Sequence, residues 1–222
     1  MLFLDELPEW NRHALEVLRE PLESGQVTVS RAARSAEFPA RFQLVAAMNP
    51  CPCGWAGDPS GRCRCSDESI RRYRARISGP LLDRIDLHVE VARLPPQALR
   101  ADAPSGEASA AVRERVEQAR QRQQARAGRP NGQLGHSETL RDCRLQPRDE
   151  ALLEQAIDRL RLSARSLHRI LRVARTIADL DGSARIATTH LTEAIAYRQL
   201  DRGQATATAV GPPTPGARRL AG

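Results

Sequence analysis

Apolar residues Leu2, Phe3 and Leu4 open the chain and stop against Asp5 and Glu6. A short continuous apolar run ended by charge predicts a fully buried strand over residues 1–6. Pro8 is placed to open a helix over 9–20. Trp10, Ala14, Leu15, Val17 and Leu18 recur there at helical spacing, and Pro21 and Gly25 end it. "QVTVS" (26–30) alternates like a strand, "RAARSAE" (31–37) reads as a turn, and "FQLVAAMN" (42–49) reads as a second buried strand. Between these strands the pattern predicts a β-hairpin with Arg31 and Arg34 near its tip. Ser66, early acids and late arginines predict a capped helix over 66–79. A short helix then leads into a third strand, 86–91.

The second half has a different period. Residues 93–106 form a linker, and 107–127 an Arg/Gln/Glu/Ala-rich helix followed by a Gly/Pro/Asn break at 128–135. Three further helices are predicted over 148–160, 163–180 (Ser163 as N-cap) and 189–200. The Ala/Thr/Pro/Gly-rich tail from Gly203 predicts disorder. The fold class is therefore α/β followed by all-α. The domain plan is an α/β part (1–92), a linker and helix (93–135), a helical part (136–202) and a tail (203–222).

Composition sharpens this picture in three ways. The net charge is +7, and all 34 basic residues are Arg. An arginine surface suits nucleic-acid phosphates, and a genome rich in G and C gives the same bias. A phosphate-binding P-loop needs the Lys of G-x-x-x-x-G-K-[ST], which this chain does not contain. No apolar run approaches a membrane span, and the first residues lack a basic leader and a cleavage site, so no membrane partner and a cytoplasmic location are expected.

Several residues have the chemistry of a nucleotide site. Asp5 and Glu6 at a strand end suit Mg²⁺ binding and water activation, although acids there also cap following helices. Asn49 ends the second strand, where it is placed to position water or a phosphate; an Asx-turn before Pro50 is the plainer account. Arg84 precedes the third strand, as an arginine finger would, or pairs with Asp83 or Asp86. Arg165 lies in a helix first turn, where a cation opposes the dipole and a phosphate partner would relieve it.

Four of the five cysteines lie between Cys51 and Cys65. Cys51-x-Cys53 and Cys63-x-Cys65 flank a "GDPSG" turn, and four thiolates converging on one ion suit structural Zn²⁺; four reduced thiols are the alternative. Cys143 reads as an ordinary buried thiol. His168 and His190 read as packing or capping residues.

"LFLDELPEW", "LREPLESGQVTVSRA", "FQLVAAMNPCPCG", "SGPLLDRIDLHVEV" and "RILRVARTIADL" together resemble the magnesium-chelatase-like AAA+ ATPases of the YifB/ComM type, over residues 1–202. The resemblance implies part of an AAA+ P-loop core, running from Walker B to the arginine finger, plus a helical lid. It implies that Asp5 and Glu6 are the Walker B pair that handles Mg²⁺ and ATP, that Asn49 is sensor 1, that Arg84 is the finger and that Arg165 is sensor 2. It also implies a hexameric ring, and a DNA helicase driving branch migration in natural transformation. The hairpin would then face the pore, with Arg31 and Arg34 on DNA phosphates. The N-terminal domain and Walker A loop of the family are missing, so the chain resembles a fragment, read most simply as a frame opened at an internal Met, with a natural split protein docking onto a separate Walker A chain as the other account. Alone, it is expected to be inactive as an ATPase. Two alternatives stay open: a chelatase motor subunit, and a non-enzymatic module binding zinc and nucleic acid.

Overall fold

The structure is a computed structural model that describes residues 1–31, 34–94, 106–160 and 162–198. The tail from 203, most of the linker and residues 32 and 33 lie outside the described residues. Arg31 is described through its backbone alone.

Strand β1 (Leu2–Leu4) pairs in parallel with β4 (Leu44–Ala46), with Leu2 opposite Leu44 and Leu4 opposite Ala46. Between them come α1 (Arg12–Val17), α2 (Arg19–Ser24), and an antiparallel hairpin of β2 (Gln26–Arg31) and β3 (Arg34–Pro39). Then follow α3 (Asp67–Arg74) and α4 (Gly79–Leu82). Leu4, Leu7, Leu15, Ile77, Leu81 and Leu82 form the core of this half.

Four local expectations need correction. The sheet is not fully buried: Leu4 is buried while Phe3 and Val45 are exposed. Among the described residues, helices cover one face of the two parallel strands and leave the Phe3–Val45 face open, whereas such sheets are normally covered on both. Residues 86–91 form no strand. Extended backbone becomes a strand only beside a partner, and His88 N–H donates instead to the Tyr197 carbonyl. Pro21 does not end a helix. The helix breaks at Leu18 and restarts, and Pro21 sits early in α2, where its missing N–H has no intrahelical acceptor to lose. Gly25, at φ 71°, is the real stop. Lastly, 34–37 are strand rather than turn, because the register pairs Ser30 with Ser35 and Arg31 with Arg34.

The second half is helical: α5 (Ser109–Ala127), α6 (His136–Asp142), α7 (Pro147–Leu160), α8 (Ala164–Leu180) and α9 (Thr188–Ala196). Ile170, Leu171, Ala174 and Ala178 of α8 pack with Leu191 and Ala194 of α9. α5, grouped with the linker by sequence, packs against α8. Arg126 holds the Asp179 carboxylate through two hydrogen bonds of 2.8 and 2.7 Å, and Arg122 donates to the Asp179 carbonyl at 2.7 Å. His190 caps α9, its Nδ1 accepting from Ala187 N–H at 3.0 Å, and His168 packs on His136 with ring centroids 4.5 Å apart. Cys143 is buried, and burial pushes its thiol up to about 11.

Ser163 caps α8, its Oγ accepting from Ser166 N–H at 3.3 Å. Ser163→Ala is expected to cost about 1 kcal/mol, read as a lowered unfolding midpoint; an unchanged midpoint would remove the cap from the account. No helix among the described residues is long and apolar enough to cross a membrane.

Candidate functional site

The parallel pairing brings two predicted groups to one edge. Ala47 N–H donates to the Leu4 carbonyl and Leu7 N–H to the Ala47 carbonyl, each at 2.9 Å. The ladder thus runs past both strand ends and sets Asp5–Glu6 beside the segment leading to Asn49. All three side chains are exposed, and neither acid joins an ion pair among the described residues. Asp5 Oδ1 accepts from Glu6 N–H at 2.9 Å. Glu6 has φ 49°, the one positive φ outside glycine among the described residues. Such a conformation is costly for a residue with a Cβ and concentrates at functional positions. The donor set fits a magnesium–nucleotide end, with two exposed carboxylates outside any ion pair among the described residues and an amide. The lysine half of a phosphate grip is not in the chain.

Arg84 and Arg165 meet elsewhere, at Glu23. Arg84 follows α4 and is buried, with its Nη1 on the Pro80 carbonyl at 2.8 Å and its Nε on the Arg19 carbonyl at 3.2 Å. Its Nη2 donates to Glu23 Oε2, so its partner is neither Asp83 nor Asp86. Arg165 is exposed in the first turn of α8, with Nη2 3.4 Å from Glu23 Oε1. The Arg84 hydrogen bond is the main reason that Glu23 titrates below the usual carboxylate range. Glu23, Arg84, Arg165 and Asn49 all line one open cleft of about 2660 Å³.

Sequence reasoning gave Glu23 no part. Its one local signal was an acid in the last turn of a helix, where the dipole disfavours it. Arg198 was also missed. It is buried, donates to the Ile85 carbonyl at 2.5 Å and lies 3.6 Å from Asp83 Oδ1. Arg169 binds Asp86 at 2.6 Å. The helical half therefore holds the residues on both sides of Arg84.

The four cysteine sulfurs converge, all within 4.8 Å of one another. Cys51–Cys63 and Cys53–Cys63 are 3.8 and 3.7 Å apart, and Cys51–Cys53 is 3.3 Å. Four thiolates about 2.3 Å from one zinc stand about 3.8 Å apart at tetrahedral geometry, so the set fits the ion. Backbone N–H groups of Trp55 and Arg64 pull the Cys53 thiol down to about 6, while its hydrogen bond to Cys53 pushes Cys65 up to about 12. The loop folds back on the strand exit: a Cβ on Gly54 would lie 3.9 Å from Asn49 Oδ1. Arg74 Nε also donates to the Pro50 carbonyl at 3.2 Å.

Arg34 closes the exposed hairpin opposite Arg31. Every described residue of β3 is exposed.

The family profile "Magnesium chelatase, subunit ChlI" matches residues 1–99, and its C-terminal companion matches 106–198. The chain belongs to the magnesium-chelatase family. Within it, the chain is 51% identical over 203 residues to the competence protein ComM of Haemophilus influenzae, covering 91% of this chain and 39% of that protein. It is 48% identical to YifB of Escherichia coli, covering 91% of this chain and 40% of that one. An uncharacterized protein of Mycobacterium tuberculosis is 43% identical over 204 residues, covering 90% of this chain and 40% of it. The chain thus spans about two fifths of the length of the relatives it matches. The C-terminal profile also begins at α5, in keeping with the packing of that helix on α8.

Proposed function

We propose that the chain is the Walker B-to-lid portion of an ATP-driven AAA+ ring motor that acts on DNA. The observation that carries this reading is the β1–β4 pairing, which brings Asp5 and Glu6 to the same carboxyl edge of a parallel sheet as the segment leading to Asn49. In open α/β sheets, ligands bind at that edge. Asp5 would hold the magnesium of ATP, Glu6 would orient and deprotonate the attacking water, and Asn49 would steady that water. Magnesium supplies charge neutralisation at the phosphates. Arg84 and Arg165 serve as finger and second sensor, which requires a ring of copies. The bare sheet face and the unpaired 86–91 segment, with Leu87, Val89 and Val91 exposed, await strands supplied from outside this chain. Cys51, Cys53, Cys63 and Cys65 would hold a structural zinc that braces the exit of the Asn49 strand.

DNA as the substrate draws on the likeness to a protein named for competence and on the exposed hairpin with Arg31 and Arg34. The chelatase reading draws on the family's name. The test is ATP hydrolysis by a chain extended upstream through a GK[ST] loop, with and without DNA. Hydrolysis stimulated by DNA, and none by the 222 residues alone, is the expected result. Turnover indifferent to DNA would favour the chelatase reading. Robust turnover by the short chain would remove the account of the missing lysine.

A further inference from the structure

Three elements distant in sequence converge on one carboxylate. Glu23 lies in the last turn of α2, Arg84 follows α4, and Arg165 lies in the first turn of α8. Arg84 spends its Nε and Nη1 on backbone carbonyls and only its Nη2 on Glu23. Its side chain is 7% exposed, against 45% for Glu23 and 66% for Arg165. One guanidinium is thus built into the protein, one is loose, and the anion between them is open to solvent at the cleft. Asp86 and Asp83 are engaged by Arg169 and Arg198, leaving Glu23 as the anion shared by the pair.

Two arginines around a carboxylate present the donor geometry that also receives phosphoryl oxygens. A polyphosphate carries more charge than one carboxylate and more acceptor oxygens than its two. The contact it must displace at Arg165 is long, at 3.4 Å. Arg165 also opposes the dipole of α8, whose first turn holds no acid. A second anion is therefore favoured there.

We infer that Glu23 is an internal phosphate surrogate: it positions Arg84 and Arg165 as one clamp and yields the clamp to the phosphate chain of a nucleoside triphosphate. This rests on the reading that both arginines face phosphate, and adds that an anion of the same chain occupies the clamp first. Glu23 is a positioning residue, since it acts through the arginines. It stands two residues before Gly25, the φ 71° stop after which β2 begins.

The probe is inorganic tripolyphosphate with the full 222-residue chain, followed by calorimetry and by the NMR signals of the arginine Nε–H groups and the Glu23 carboxyl carbon. Glu23→Gln keeps the shape and removes the charge. It is expected to tighten tripolyphosphate binding by about tenfold, while Arg165→Gln, at an exposed position, weakens it. In the unaltered chain, saturating tripolyphosphate is expected to shift the Arg84 and Arg165 signals together with that of Glu23. This arm stands even if Glu23→Gln destabilises the fold. Equal affinity in Glu23→Gln, or arginine shifts with Glu23 unmoved, would overturn the surrogate role and leave the phosphate-facing arginines standing. No binding that depends on Arg165 in either chain would overturn both.

Discussion

With zinc in the four-cysteine loop as proposed, chelation is expected to unfold residues 50–66 while the helical half stays folded. No helix or strand lies between β4 and α3. Cys51 is the one residue of 51–66 that is buried. Short turn bonds such as Gly54 N–H to the Cys51 carbonyl do not offset the entropy of ordering some sixteen residues, at about 1–2 kcal/mol each. Structural zinc contributes on the order of 10 kcal/mol to such small sites. The helical half has its own core and does not share the loop. Protease cleavage within 50–66 on chelation, with α5–α9 protected, is the expected pattern. Cobalt should give a thiolate charge-transfer band that Cys53→Ser removes. A loop equally resistant with and without chelator, and no such band, would exclude the ion.

Proton release sets the pH dependence of this site. Metal binds thiolates. Cys53, drawn down to about 6, is mostly ionised at neutral pH, whereas Cys65, raised to about 12, must lose its proton to the metal. Affinity therefore rises with pH, by about tenfold per unit for each proton displaced, and falls more steeply once pH drops through about 6 and Cys53 also protonates. Cobalt titrations at several pH values measure that slope, and a flat profile would contradict it.

Asp179→Ala is expected to destabilise the helical half by about 3 to 5 kcal/mol. The Asp179 side chain is 1% exposed, and it answers Arg126 at 2.7 Å, Arg175 at 3.1 Å and the Asn131 amide at 2.8 Å. Removing the carboxylate strands the Arg175 guanidinium, 3% exposed, without its counter-ion. It also removes the Arg126 anchor of α5 on α8, leaving the Arg122 bond to the backbone carbonyl of residue 179. Urea unfolding followed by helical signal measures the loss; a change below about 1 kcal/mol would show that packing alone holds α5. Burial raises the Asp179 carboxyl, but the bonds from Arg126 and Asn131 outweigh it and leave the group lowered. Its contribution is thus full above the ordinary unfolded value near 3.9 and is lost as pH falls through the lower folded value. The gap between the native chain and Asp179→Asn should close below that range.

Local signals carried far in this chain. The caps at Ser66 and Ser163, the stop at Gly25 and the amphipathic face of α8 are all short-range effects. The cysteine spacing told of a four-sulfur site because nine residues of loop (54–62) with a good turn leave little freedom about where the pairs meet. The strand 86–91 was misread for a matching reason: its residues favour extended backbone, yet pairing needs a neighbour that these residues do not supply. Pro21 was misread because its place within a helical turn, rather than its presence, decides whether it breaks a helix.

By itself, the sequence picked out the candidates for chemistry: the acids after the first apolar run, the amide after the second and the four thiols, together with the absence of lysine. Residue type and local period suffice for that. The tertiary structure decided which of them stand together. Parallel pairing of β1 with β4 joined Asp5 and Glu6 to the Asn49 edge. Burial gave Arg84 a partner in Glu23 instead of the aspartates beside it, and α8 brought Arg165 to the same carboxylate. Each of these contacts closes a long stretch of chain, and a long-range contact is chosen by the packing of whole elements, which no local pattern encodes.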